Sequence, residues 1–287
     1  MSATPTLFRF AQFEFPWTLG PPDGRYLLRA PGAASASPPT QVLVVRTLGA
    51  PERRRLSRRA RQASPEPDPV PVTTTRATVI DVSDPLADGE GARRWLTSAG
   101  EEELAVGLGV LNRALHAYRL ASADPYVNSV RREQALVSRL GWGRGEQVAD
   151  GLWVQAHEFE PPQTRRRRIK ALEPQARLAA VMNGRAPALA CEELALRARL
   201  DLDQGRTREA ALQLLVALDA ALAELPADRA AAALADRLIE LSAQRPGVVA
   251  AAQAALSGPL TAAQLDIVTF TLGRIEAALR ARAAAEA

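Results

Sequence analysis

Twelve of the thirteen aromatic side chains lie before residue 160, and Phe270 alone lies after it. Aromatic rings bury the most area per residue, so a stretch without them must build its core from smaller groups. In this chain those groups are alanine and leucine, which suit closely packed helices with leucine supplying most of the burial. The expected fold class is therefore α+β. Residues 1–83 read as a small N-terminal antiparallel β-sheet domain and 84–186 as a mixed helical region. Residues 187–287 read as a larger all-α body of helical hairpins.

The strand pattern begins at once. LFRFAQFEF, residues 7–15, holds two alternating pairs, Phe8/Phe10 and Phe13/Phe15. Period-two alternation predicts one buried and one wet face. The turn-dense Gly20-Pro21-Pro22-Asp23-Gly24 then predicts a hairpin from about Phe13 to Arg29. Ala30 to Pro39 reads as a small-residue linker, and Gln41–Leu48 and Thr73–Val82 as two further strands. Between them, residues 53–72 join an arginine run to a proline run. Such a composition cannot build a core and predicts a disordered loop.

Beyond about Asp84 the spacing becomes helical. Ser98 with Glu101 reads as a capping box ahead of a stripe formed by Leu104, Leu108, Leu111, Leu115 and Tyr118. Asp124-Pro125 predicts a helix carrying Val130, Val137 and Leu140. Gly141-Trp142-Gly143-Arg144-Gly145 reads as an inter-helix turn, since neither a preceding strand nor a following lysine makes it a phosphate loop. A helix with Val148, Leu152 and Phe159 should follow, and another should start at Pro174. Further helices are expected over 187–204, 207–225 and 227–242, with a short one to Leu256. Thr261 with Gln264 should cap the last, which carries Leu265, Val268, Leu272, Ile275 and Leu279.

Residues 194–218 resemble a single tetratricopeptide unit. Leu194 and Ala198 match the large and small positions of its first helix. Gly205 stands at its turn, and Ala210, Leu214 and Ala217 match its second helix. Arg197, Asp201 and the late Pro226 depart from the pattern. The resemblance covers under a tenth of the chain and implies a helical hairpin of the kind used in partner-binding arrays.

Charge is unevenly placed. Residues 1–187 carry 26 basic and 19 acidic residues, whereas 188–287 carry 10 and 13. An anionic partner should therefore meet the front of the molecule. Lys170 is the only lysine among 36 basic residues, an arginine bias expected of a GC-rich bacterial genome. Two runs stand out as candidate anion-binding residues: Arg53, Arg54, Arg55, Arg58, Arg59 and Arg61, and Arg165, Arg166, Arg167, Arg168 and Lys170. Their density suits phosphate neutralisation, but neither run contains the interleaved aromatic rings that stack on bases.

Little else invites chemistry. His116 and His157 have no partners at metal-ligand spacing. The first is expected beside the leucine stripe, and the second near a helix end beside Glu158 and Glu160. Cys191, the sole cysteine, excludes an intrachain disulfide and reads as a small buried hydrophobe. Glu192/Glu193 and Asp201/Asp203 are too differently directed, or too close to arginines, to act as an acid–base pair. The residues call for no catalytic set, no metal and no cofactor. The N-terminus lacks the features of a secretory signal, and no stretch approaches the roughly 20 apolar residues of a membrane span. The expectation is a soluble, cytoplasmic, non-catalytic scaffold whose helical hairpins meet a protein partner or another copy of the chain. A nucleic-acid or polyanion-binding protein using the arginine runs is the alternative.

Overall fold

The computed structural model describes residues 6–30, 32–34, 36–49, 73–160, 174–185, 187–228 and 230–286. Both arginine runs lie outside these residues, as does the expected loop at 53–72. The fold is α+β as expected, in two compact units, Met1–Gln163 and Thr164–Ala287.

The first unit is built on a six-stranded antiparallel sheet. Its strands are β1 (Leu7–Phe15), β2 (Gly24–Leu28), β3 (Gln41–Leu48), β4 (Thr74–Asp81), β5 (Val137–Arg144) and β6 (Trp153–Glu158). They stand in the order β2-β3-β4-β1-β5-β6. β1 is therefore central, paired through Phe13 to Ala77 of β4 and to Ser138 of β5. The expected hairpin from Phe13 to Arg29 does not form, because β2 pairs with β3 instead.

The two phenylalanine pairs differ in parity, and so they point to opposite faces of the sheet. Phe13 and Phe15 join the core beneath α1 (Gly89–Ser98) and α2 (Glu101–Ser122), with Leu43, Leu104, Leu111 and Trp142. Phe10 lies on the other face with Val42, Val44, Ile80, Val148 and Ala149, and Phe8 packs against them. The expected wet face of β1 is thus buried, covered by the short 3-10 segment Gly145–Asp150.

The sequence reading of 125–160 as two helices around a glycine turn is also corrected. Buried on both faces, β1 needs hydrogen-bonding partners on both edges, and β5 supplies the second. Gly141 and Gly143 are strand residues. A Cβ on Gly141 would lie 2.6 Å from the Phe10 ring, and one on Gly143 would lie 2.6 Å from Val148. The glycines leave room for side chains laid across the sheet. His157 accordingly sits on β6, edge-on to Phe159 with ring centroids 4.8 Å apart, and not at a helix end.

Helix ends follow local chemistry. The Asp88 carboxylate accepts the Gly91 N–H at 2.7 Å and opens α1. At α2 the expected Ser98–Glu101 box is replaced. Glu103 accepts the Gly100 N–H at 2.7 Å, while the Ser98 hydroxyl donates to the Trp95 carbonyl. Thr261 and Gln264 do cap the last helix, Thr261 N–H donating to Gln264 Oε1 at 2.9 Å.

The second unit contains α3 (Pro174–Met182), α4 (Ala190–Asp203), α5 (Thr207–Glu224), α6 (Ala231–Ser257) and α7 (Ala262–Glu286). α4 to α7 pack successively, and α7 returns against α4 and α5 to close the bundle. Its core is Ala198, Ala210, Leu214, Ala217, Leu218, Leu234, Leu241, Leu272 and Ile275, among others. The break expected after Ser242 is absent, and α6 runs continuously through Pro246. Ser242, whose carbonyl the proline cannot bond, lies on the exposed side with it, where water can substitute. Thr207–Ala227 is long and apolar enough, by length and composition, to cross a membrane. That overturns the expectation that no stretch is. In this fold its buried face is the middle of the bundle.

α2 approaches the sheet closely at Gly107, where a Cβ would fall 2.4 Å from the Ala11 Cβ. Gly107→Ala should cost about 1–3 kcal/mol in urea unfolding, the usual penalty of overpacking. The same change in an Ala11→Gly background should cost measurably less. Equal penalties in both backgrounds would show that the contact does not limit packing.

Candidate functional site

One end of the sheet carries the ends of β1, β3 and β6 and one of its two clefts. β1 finishes there at Phe15, opposite Thr75 of β4, and Leu48 of β3 pairs with Thr74. β5 begins there, and β6 finishes beside it with Glu158 opposite Arg139. The strand register therefore makes the chain leave for both arginine-rich segments from this same end. With strands about 4.8 Å apart, the β3 and β6 exits are separated by roughly 19 Å across the sheet.

Side chains tie each exit to the loops above it. Asp23 accepts the Thr47 N–H at 2.8 Å and the Thr47 hydroxyl at 2.7 Å, binding the turn after Gly20 to the end of β3. At the other exit, the Arg132 guanidinium donates to the Glu160 carbonyl and lies 5.8 Å from the Phe159 ring centroid. Arg132 belongs to the connection from α2 to β5. That connection is pinned by buried Asn112, which donates to the Val130 carbonyl at 2.9 Å and accepts its N–H at 2.7 Å. Between the two tied loops lies a cleft of about 340 Å³, lined by Trp17, Leu19, Tyr126, Asn128 and Gln134 among others.

The arginines on the sheet face opposite the helices are already engaged. Arg76 meets Glu14 at 2.9 Å, and Arg139 meets Glu158 at 3.1 Å and Gln12 at 2.9 Å while lying over Trp153. Arg25 pairs with Glu146 and Arg46 with Asp150. This row braces the 3-10 segment on the sheet.

At the other end of the sheet a cleft of about 290 Å³ opens between α2 and the strands, with Arg9, Asp81, Trp95 and Glu102 at its rim. Arg9 pairs with Asp84 at 2.9 Å and lies 5.7 Å from the Trp95 centroid.

The bundle spends its polar groups on itself. Arg282 is fully buried, with Nε 2.7 Å from Asp228 and Nη1 3.2 Å from Glu192, which also pairs with Arg177. Arg199 of α4 grips Glu276 of α7 through two bonds of 2.7 and 3.0 Å. That hydrogen bonding raises its pKa further. Asp201 holds Arg206 at 2.7 Å across the turn at Gly205, whose φ is +72°. The suspect carboxylate pairs are thereby accounted for, since Glu193 pairs with Arg197 and Asp203 with Arg199.

Cys191 is buried on α4, as expected of a small hydrophobe. Burial first, and then a hydrogen bond to Glu224, push its thiol up to about 12. Such a thiol supplies almost no thiolate near neutrality. Burial opposes the charge on Glu224. The N–H groups of Cys191 and Ala190, at 3.0 and 3.1 Å, outweigh that and hold its carboxyl below the usual range. The carboxylate thereby caps the N-terminus of α4. Among the described residues no three His, Cys, Asp or Glu side chains gather to hold a metal.

Compared with family models, curated proteins and solved structures, the chain matches none. Sequence reasoning named the arginine runs but missed the Trp17–Tyr126 cleft. Its walls are about a hundred residues apart in the chain, and no spacing rule joins them.

Two outcomes follow from the bundle. Arg282→Met should destabilise the protein by about 3–5 kcal/mol in denaturant unfolding, because it strands buried carboxylates. The depressed pKa of Glu224 contributes stability above the unfolded carboxylate range, which is lost as pH falls through the folded value. Glu224→Gln should therefore flatten the acid limb of a stability–pH curve. An unchanged limb would remove Glu224 from the α4 cap.

Proposed function

We propose that this chain is a non-catalytic interaction protein whose helical bundle meets a protein partner or a second copy of itself. The observation that carries the reading is a leucine pair on α4. Leu196 and Leu200 stand one turn apart and are 66% and 44% exposed, beside the surface pair Arg197–Glu193. The polar interior of the bundle, by contrast, is committed to its own ion pairs. Exposed apolar pairs at i,i+4 present one continuous face. Leu196→Asp with Leu200→Asp should leave thermal stability within about 0.5 kcal/mol, as for other surface changes. It should weaken association at least tenfold in sedimentation equilibrium with the partner or with itself. A chain that stays monomeric, and that forms no cross-link through α4 in its native extract, would end this reading.

A second reading is favoured by the shared exit of the two arginine-rich segments. In it, Arg53–Arg55, Arg58, Arg59, Arg61, Arg165–Arg168 and Lys170 bind a polyanion, nucleic acid included. Affinity should then fall steeply with salt. Replacing Arg53–Arg55 and Arg165–Arg168 with Gln should abolish heparin binding in a low-salt filter assay. Failure of the unaltered protein to bind heparin or nucleic acid at low salt would exclude it.

A further inference from the structure

We propose that the cleft between Trp17 and Tyr126 binds a sugar ring, independently of the α4 face and of the arginine-rich segments. The residues that line it all belong to the first unit. Charge narrows the ligand first. Among the described residues lining the cleft, Asp124 alone is charged, and it has no ion pair with any described residue. An anion is therefore disfavoured there.

The polar groups narrow it further. Three side chains of the cleft are aimed by a bond to the backbone of their own loop. Asp124 Oδ1 accepts the Tyr126 N–H at 2.9 Å, and Asn128 Nδ2 donates to the Tyr126 carbonyl at 2.9 Å. Gln134 Oε1 accepts the Arg131 N–H at 2.7 Å. Each keeps a second polar atom without a described partner: Asp124 Oδ2 and Asn128 Oδ1 accept, and Gln134 Nε2 donates. Ser129 adds a hydroxyl that does both. A bare cation uses acceptors only and leaves the Gln134 amide unmatched. Hydroxyl groups donate and accept, so a neutral polyol matches the whole set.

The rings favour a cyclic one. Tyr126 is 86% exposed and Trp17 37% exposed, and both line the cleft. A sugar ring carries C–H bonds on its face and hydroxyls around its edge. Its positively polarised C–H face suits the electron-rich face of an aromatic ring, while the edge stays free for polar partners. Both aromatic walls are pre-set, which lowers the entropy lost on binding. Trp17 rests on the fully buried Phe15, with centroids 5.4 Å apart. On the other side, Asn112 pins Val130. The chain enters this loop through Ala123, whose φ of +51° is costly for an alanine. The volume of about 340 Å³ lies within the roughly 300–1,000 Å³ of small-ligand sites.

Saturation-transfer NMR and affinity titrations with the full chain test the site. The probes are the methyl β-glycosides of glucose, galactose and N-acetylglucosamine, methyl α-mannoside, the acyclic polyol sorbitol, and tetramethylammonium. At least one glycoside should bind in the roughly millimolar range, about tenfold more tightly than sorbitol, which has no ring face to stack. Saturation should be strongest on the C–H protons of one sugar face. Tyr126→Ala, on a side chain too exposed to support the fold, should weaken binding about tenfold, whereas Tyr126→Phe should preserve it. Asp124→Asn keeps an acceptor for the Tyr126 N–H but removes the charge, and should weaken binding about tenfold or more. A tetrasaccharide of the bound sugar separates the sources: equal affinity marks a single sugar and a gain marks a glycan chain, and either upholds the site. No binding by any of the four glycosides, sorbitol bound as tightly, tetramethylammonium bound more tightly than any glycoside, or no effect of Tyr126→Ala would overturn it.

Discussion

The first unit depends on a single strand buried from four directions. β1 is hydrogen-bonded along both edges and covered on both faces, and neighbouring elements approach it closely at two glycines. Ala11 faces Gly107 of α2, and Phe10 lies over Gly141 of β5. A strand so enclosed must have every backbone group paired within the sheet, because water cannot reach it. The order β2-β3-β4-β1-β5-β6 follows from that demand. The chain returns after two helices to supply β5, and the remaining strands take positions toward the edges. The loops at the ends of β1 and β5 are thereby brought together, and the Trp17–Tyr126 cleft is a by-product of closing the sheet around its centre.

The second unit solves a different problem. With alanine as its main small residue, each helix contact is close but contributes little area, so orientation needs other help. Ion pairs supply it. Glu224 caps α4 from the end of α5, and Asp201 latches Arg206 at the opposite end of the same hairpin. Arg199–Glu276 and Arg282–Glu192 then tie α4 to α7. Buried pairs of this kind offer modest net stability but strongly penalise wrong packings, because a misplaced partner leaves a charge unpaired in the interior. The departure of Asp201 from the tetratricopeptide pattern has its use here: a carboxylate closes the hairpin turn. The same commitments engage the charged groups of α4 and α7 with one another.

Much of the helical structure was legible from leucine spacing and local capping and stop signals. The Leu104–Leu115 stripe, the Gly205 stop and the Thr261–Gln264 cap all follow from local rules that act within one or two turns. The legible part ended where long-range demand overrode local preference. Val137 to Arg144 carries both helical spacing and two glycines, and only a missing neighbour for β1 decides in favour of a strand. Pro246 argues for a break, yet sits where its lost hydrogen bond faces water, so α6 continues.

The amino-acid order alone determined the division into an aromatic sheet-forming front and an alanine-rich helical back. It also determined the concentration of cations in two runs. These properties depend on composition and on periods of a few residues. Tertiary structure decided the strand order, the identity of β5 and β6, the burial of both faces of β1, and the meeting of Trp17 with Tyr126 beside both exits. Those depend on which distant backbone edges pair. Pairing is settled by the free energy of the completed sheet and core, a quantity that no local window of sequence contains.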